Sequence, residues 1–164
     1  MTISKPKPVA PAKDKSRYIE AVGRRKAAIA RVRIYPSTNK PLKSLTEGEE
    51  GANSHLLPTE KLDVMINEKT IGEYFKIERL RQMVATPFGA LNAVFKVTAM
   101  VQGGGPSSQA EAIRLGLSRA LNNLNEKWRT PLKAAGFLKR DSRIVERKKP
   151  GLRKARRPQQ WRKR

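Results

Sequence analysis

Cysteine is absent from the 164 residues, and histidine occurs once, at His55. Disulfides and thiolate metal sites are thereby excluded, and one imidazole cannot build a zinc site by itself. Acidic side chains are scarce as well, 14 against 36 lysines and arginines. Metal chemistry would have to rest on carboxylates, and the densest group of them, Glu47, Glu49 and Glu50, stands in a Gly/Ser/Asn/Pro-rich stretch. Long apolar runs are missing too. The longest charge-free stretches lie between Arg81 and Lys96 and between Lys96 and Glu111, both too short and too broken by Gly and Pro to span a bilayer. The N-terminal MTISKPKPVAPAKDKSR lacks the apolar segment of a secretory signal. Together these absences point away from metalloenzymes, disulfide-stapled secreted domains and membrane proteins, toward a soluble, internal protein.

What the chain has in excess is positive charge. The formal net charge is +22 and the pI near 11. A surface this cationic repels itself in isolation, so its natural partner is a polyanion, and nucleic-acid phosphate is the commonest one. The length fits one globular core with appendages.

Along the chain, residues 1–17 are rich in Pro, Lys and Ala and read as an N-terminal arm with too little apolar surface to offset its ordering entropy. Residues 18–138 read as the globular domain. Ala28, Ala30, Val32 and Ile34 alternate with Ile29, Arg31, Arg33 and Tyr35, which predicts a strand with a wet, basic side, closed by Pro36. An exposed, locally acidic loop follows at about 36–61, then a strand at Leu62–Ile66. Thr70 and Glu73 match a capping box opening one or two short helices that should end before Pro87. Ala93, Phe95, Val97, Ala99 and Val101 give the clearest strand, running into Gly103-Gly104-Gly105-Pro106. Ser108 and Glu111 suggest a second capping box, opening the longest helix near 108–123. Its apolar face carries Ile113, Leu117, Ala120, Leu121 and Leu124. A short helical piece at Glu126–Ala135 should end at a left-handed Gly136.

Three segments carry the chemistry. The tail 139–164 holds 13 basic residues and two acids, Asp141 and Glu146, a net of +11, half that of the whole chain. A short charge run is ordinarily a solvated helix face, but Pro150, Gly151 and Pro158 prevent one continuous helix here. An extended polycation fits better, gaining affinity from counterion release and from bidentate arginine–phosphate contacts. With so little apolar surface it should order only against its polyanion. Gly23-Arg24-Arg25-Lys26 is a second basic cluster, in or beside the first strand, where glycine allows a bulge or close backbone approach. The glycine run before the long helix offers bare amides at a positive dipole end, an anion site by construction, although a plain strand-to-helix turn explains it equally. Nucleotide-binding fingerprints fail: no Gly-Lys-Ser/Thr follows, and Ser108 stands where the last glycine of a dinucleotide motif belongs. Arg114 and Arg119 on the helix's polar side favour an RNA phosphate. A basic nuclease would need a positioned general base or metal carboxylates, and His55 and Glu146 are poor candidates. An architectural or chaperone-like nucleic-acid protein would share these features.

Taken in order, several stretches resemble the family of small-subunit ribosomal protein nine, in its bacterial or organellar type. They are Gly23-Arg24-Arg25-Lys26 with Ala30-Arg31-Val32; Val101-Gln102-Gly103-Gly104-Gly105 through Gln109, Ala110, Ala112-Ile113-Arg114 and Arg119-Ala120-Leu121; Leu132-Lys133 through Ala135-Gly136-Phe137; Arg140-Asp141; and Val145-Glu146-Arg147-Lys148-Lys149 through Gly151-Leu152-Arg153-Lys154-Ala155-Arg156-Arg157. The resemblance implies an α+β domain, a mixed sheet with helices packed on it, like the second domain of the fifth small-subunit protein, plus a long basic C-terminal tail. No enzyme, cofactor or metal is expected, because the few carboxylates and the one histidine offer no catalytic or metal-holding set. The implied partners are the 3′ major domain of small-subunit rRNA in the head, the P-site tRNA, neighbouring head proteins and, indirectly, mRNA, in the cytoplasm of a bacterium or, alternatively, in an organelle. On this reading the rRNA contacts are Arg24, Arg25, Lys26, Gly103, Gly104, Gly105, Ser107, Ser108, Gln109, Arg114 and Arg119, continued in the tail by Lys139, Arg140, Arg143, Arg147, Lys148, Lys149, Arg153, Lys154, Arg156 and Arg157. Arg162, Lys163 and Arg164 would meet tRNA. Composition points only to a polyanion; its identity comes from the resemblance. Two departures stand out: the loop around Leu42–Glu60 is longer than the family's short turn, and Arg162 stands where the family commonly has serine.

Overall fold

The computed structural model describes residues 18–41 and 62–161. The N-terminal arm, most of the predicted acidic loop and the terminal Arg162–Arg164 lie outside the described residues.

Among the described residues five strands form one mixed sheet: β1 (Ile19–Arg25), β2 (Ala28–Pro41), β3 (Val64–Ile66), β4 (Lys69–Thr70) and β5 (Ala93–Gln102), in the order β1-β2-β5-β3-β4. β3 runs parallel to β5 and the other pairs are antiparallel. The helices are α1 (Ile71–Tyr74), α2 (Glu78–Leu91), α3 (Pro106–Leu124) and α4 (Arg129–Ala134), the last preceded by a 3-10 turn at Glu126–Trp128. The domain is therefore α+β, as expected, and its helices cover one face of the sheet.

The alternation of β2 is obeyed strictly. Ala28, Ala30, Val32 and Ile34 are fully buried, whereas Ile29 and Arg31 are exposed. β1 carries only a weak apolar signal, Ile19 and Ala21, on its inward face. It forms by pairing with β2 through a two-residue turn in which Lys26 adopts positive φ, so the basic cluster ends one strand and turns into the next. α3 lies across β1 and β2 at very short range: a Cβ on Gly23 would stand 1.9 Å from the Ala112 carbonyl oxygen, and one on Gly116 would stand 2.7 Å from Val32 Cγ2. Two glycines thus permit the helix to seat on the strands, and the close backbone approach foreseen for Gly23 is real. Phe75, Phe88, Phe95, Ile113, Leu117, Leu121 and Leu132 fill the layer between sheet and helices. Each such side chain, fully buried, contributes about 1.5–3 kcal/mol.

Several sequence-derived boundaries move. The strand expected at Leu62–Ile66 begins only at Val64. Pro36 does not close β2, which continues to Pro41 past an irregularity between Tyr35 and Lys40. There the Thr38 hydroxyl donates to the Tyr35 carbonyl (2.8 Å) and accepts from the Lys96 amide (2.9 Å), replacing ladder bonds. Pro87 lies inside α2 instead of beyond it. Its missing N–H leaves the Met83 carbonyl open, and the Thr86 hydroxyl donates to that oxygen at 2.8 Å. The second capping box does not form. α3 begins one turn earlier, with Gly105 as N-cap and Pro106 in the first turn; Ser108 is buried, and the Glu111 carboxylate is held by Arg25. The first capping box is present as expected, with Thr70 and Glu73 bonded reciprocally, and the Thr70 amide holds the Glu73 carboxyl below its ordinary pKa.

Candidate nucleic-acid interface

Three segments distant in sequence converge at the end of the sheet where β1 turns into β2. Arg24 and Arg25 end β1, Arg114 projects from the third turn of α3, and Lys139 and Asp141 begin the tail; with Glu111 and Phe137 they line one small cleft. Gly136, at positive φ, reverses the chain after α4, and the Phe137 amide donates to the Leu132 carbonyl at 3.0 Å. The turn directs Phe137 and Leu138 back against the core. The Arg114 guanidinium stands 5.5 Å from the Phe137 ring centroid, a cation–π distance that keeps the charge aligned beside the tail root.

Beside this cleft the glycine loop rests on the β1–β2 turn. Gly103 and Gly104 both have positive φ, and a Cβ on Gly104 would come 2.9 Å from Ala28 Cβ and 3.0 Å from its amide nitrogen. Gly105 has ordinary φ and open space around it. Gln109 holds the loop in shape: its Nε2 donates to the Gly103 carbonyl (3.1 Å), and its Oε1 accepts from the Tyr74 hydroxyl (2.9 Å). α3 has no side-chain N-cap, and Ser107 is exposed in its first turn. Uncapped amides at a long helix's positive end, behind an open glycine, form an anion-accepting geometry.

The sequence-derived cations fall into two groups. Arg24, Lys26, Lys139 and Arg140 are exposed, as are Arg147, Lys148, Lys149, Arg153, Lys154 and Arg157 along the tail. The other group is engaged within the protein. Arg25 is nine-tenths buried and ion-paired to Glu111 at 2.6 Å and Asp141 at 2.9 Å. Arg119 donates to the Val22 carbonyl at 2.8 Å on the edge of β1. Arg143 forks onto Asp141 through Nε and Nη2, and this bonding, with the Arg143 amide and the charge of Arg25, lowers the Asp141 pKa far below the carboxylate range. Arg156 forks onto Glu146. Four residues that organise the site escaped the sequence reading in that role: Glu111, Asp141, Tyr74 and Phe137. Glu111, Tyr74 and Phe137 meet partners tens of residues away, and Asp141, besides the neighbouring Arg143, meets Arg25 across 116 positions.

Past Arg143 the described residues of the tail contain no helix. Leu152 and Pro158 form a single bridge, and Arg153 donates its amide to the Arg157 carbonyl at 2.8 Å, closing a small loop whose cations face outward. The outer sheet face differs in kind. Arg31 and Arg33 share Glu20, and Val22, Ile29 and Met100 are exposed among them. Among the described residues no acidic or histidine cluster suited to a metal occurs, and no helix is long and apolar enough to cross a membrane.

Known proteins supply the comparison. A family model described as "Ribosomal protein S9/S16" matches residues 23–164. The chain is 42% identical over 147 residues to the Renibacterium salmoninarum protein named "Small ribosomal subunit protein uS9", covering 88% of this chain and 74% of that one. It is 43% identical over the same spans to the protein so named in Leifsonia xyli, and 39% identical over 150 residues to that of Rhodococcus opacus, covering 90% and 75%.

Proposed function

The chain belongs to the ribosomal protein S9/S16 family, and from that premise we propose that its surplus charge holds folded rRNA in the head of the small subunit. As a member of this family it is a structural protein of the small subunit acting in translation. The observation that carries the finer reading is the convergence of Arg24, Arg114 and Lys139 on one cleft, beside the uncapped start of α3, with the polycationic tail departing from the same place. Ser107 and Gly105 offer backbone to one phosphate there; Arg24, Lys26 and Arg140 offer side chains to its neighbours. Farther out, Arg147 to Arg157 follow the RNA backbone of the 3′ major domain, becoming fully ordered against it. Such contacts fix position without reading sequence. Arg162, Lys163 and Arg164 reach the P-site tRNA, whose phosphates all tRNAs share.

The same reading assigns the mixed sheet to the architecture of the second domain of the fifth small-subunit protein, and the outer sheet face to neighbouring head proteins. The bacterial relatives favour the ribosome of a bacterial cytoplasm over that of an organelle. Catalysis has no part in it.

Two measurements test this together. In sedimentation the chain should remain on the small subunit in moderate salt; a spread across nucleic-acid fractions would favour a general architectural binder. Removing residues 144–164 should lower affinity for the 3′ major domain and flatten its salt dependence, by about 0.7 in the log–log slope for each phosphate that is no longer neutralised, the single-strand value. An unchanged slope would place the phosphate-binding residues elsewhere.

A further inference from the structure

Resting on the reading of the tail as the RNA-gripping segment, we propose that Arg25 is its positioning residue: the buried guanidinium ties the tail root to the start of α3 and fixes the direction in which the polycation leaves the domain.

Every contact of this side chain points to that task. Nε donates to Glu111 on α3 at 2.6 Å. Nη2 pairs with the Asp141 carboxylate at 2.9 Å. Nη1 donates to the backbone carbonyls of Arg143 (3.0 Å) and, more weakly, Asp141 (3.4 Å). One planar group thus bridges a helix and two tail residues 116 and 118 positions away in sequence. A lysine ammonium is a point donor on a flexible stem and cannot span that set.

The tail's own charges support the assignment. In a segment built to meet phosphate, a carboxylate lowers affinity, yet the 26-residue tail carries two. Neither faces outward unpaired: Glu146 accepts the fork of Arg156, and Asp141 accepts both Arg25 and Arg143. The root must also lie on a surface bearing Arg24 and Arg114 while itself contributing Lys139 and Arg140. Without Glu111 and Asp141 those like charges would push it outward. Two carboxylates against Arg25 and Arg143 make a locally neutral knot, and the chain is free of the domain only after it.

The test uses the full-length protein. Because the chain has no cysteine, labels can be placed at will; Asn123→Cys on α3 and Val145→Cys just past the knot are both exposed. Pulsed electron–electron spin-label distances should give one narrow distribution in the otherwise native chain. Arg25→Gln and Asp141→Ala should each widen it about twofold or more, and Arg25→Lys should not restore it. Thermal unfolding accompanies each variant. Asp141 is only partly buried, so Asp141→Ala carries the test if Arg25→Gln fails to fold. A distribution already broad in the parent, or unchanged in width in Asp141→Ala and in any Arg25 variant that folds, overturns the proposal. An iron chelate on Val145→Cys then separates this from the parent reading. In assembled subunits the unaltered knot should give focused rRNA cleavage, and Asp141→Ala diffuse cleavage with equal incorporation. Absence of any rRNA cleavage from the parent would sink the tail–RNA reading while leaving the distance result standing.

Discussion

Replacing Gly104 and Gly105 by alanine, one at a time, should separate the fold from its ligand within a single loop. At Gly104 the backbone has φ +65°, and a Cβ would meet Ala28 Cβ at 2.9 Å and its amide at 3.0 Å. The left-handed conformation alone costs an L-residue about 1–2 kcal/mol. The crowding adds on the order of 1 kcal/mol, the low end of overpacking. A total near 2–3 kcal/mol should lower Tm by roughly 8–12 °C in a domain of this size. A bulkier Leu at Gly104 would fold still worse, so reduced RNA binding in that variant would say nothing about a ligand. Gly105, at φ −103° with nothing within 4 Å, should accept alanine with Tm changed by no more than about 2 °C. The proposed phosphate would dock through that open space, so the new methyl should stand in its way. Loss of one charge-assisted hydrogen bond to phosphate, about 1.5 kcal/mol, corresponds to roughly tenfold weaker binding. Differential scanning calorimetry and filter binding to the matching rRNA domain measure the two effects. An unaltered affinity in Gly105→Ala would make the loop a turn and nothing more, and an unaltered Tm in Gly104→Ala would refute the strain argument.

Three further outcomes are expected. Gly23→Ala should unfold the domain or nearly so, because its methyl would stand 1.9 Å from the Ala112 oxygen and lift α3 off the sheet; a cooperative melt within a few degrees of the parent would contradict this. The Asp141 pKa is held low in the folded protein, first by Arg143, so the stabilisation it provides is fully present above its ordinary value of 3.8 and fades only well below that; exchange of the Arg143 amide, which donates to the Asp141 carboxylate, should show no loss of protection between pH 7 and 4.5 beyond the intrinsic rate change. Deleting Ser44–Pro58 with a glycine bridge should leave incorporation into small subunits intact, since Glu47, Glu49 and Glu50 would be repelled by phosphate; a severe fall in incorporation would mean that this segment docks.

What the sequence disclosed follows from what is periodic. The alternation of Ala28 to Ile34 and of Ala93 to Val101 identified the two central strands because each carries a buried and a wet face. The spacing of Ile113, Leu117 and Leu121 identified α3 for the same reason. Local rules failed where a distant partner reversed them. Pro87 breaks a helix on its own, but Thr86 supplies a donor to the carbonyl left open. Ser108 and Glu111 have capping-box spacing, yet Glu111 is occupied by an arginine 86 residues away, and the helix starts at Pro106 instead. The same limit applies to the site. Arg24, Lys26 and the tail cations were legible as charge, whereas Arg25 in the same run is internal, a difference set by the facing of β1 and visible only once β1 is paired.

Whether charge gathered at the tail root is delivered to rRNA in the head can be seen in a cryo-EM map of small subunits carrying this chain. In it the β1–β2 turn, the start of α3 and residues 139–157 should lie against the 3′ major domain, with Arg162–Arg164 entering the P site. A map in which those segments face solvent while the outer sheet face, with Arg31, Arg33 and Met100, packs on RNA would contradict it.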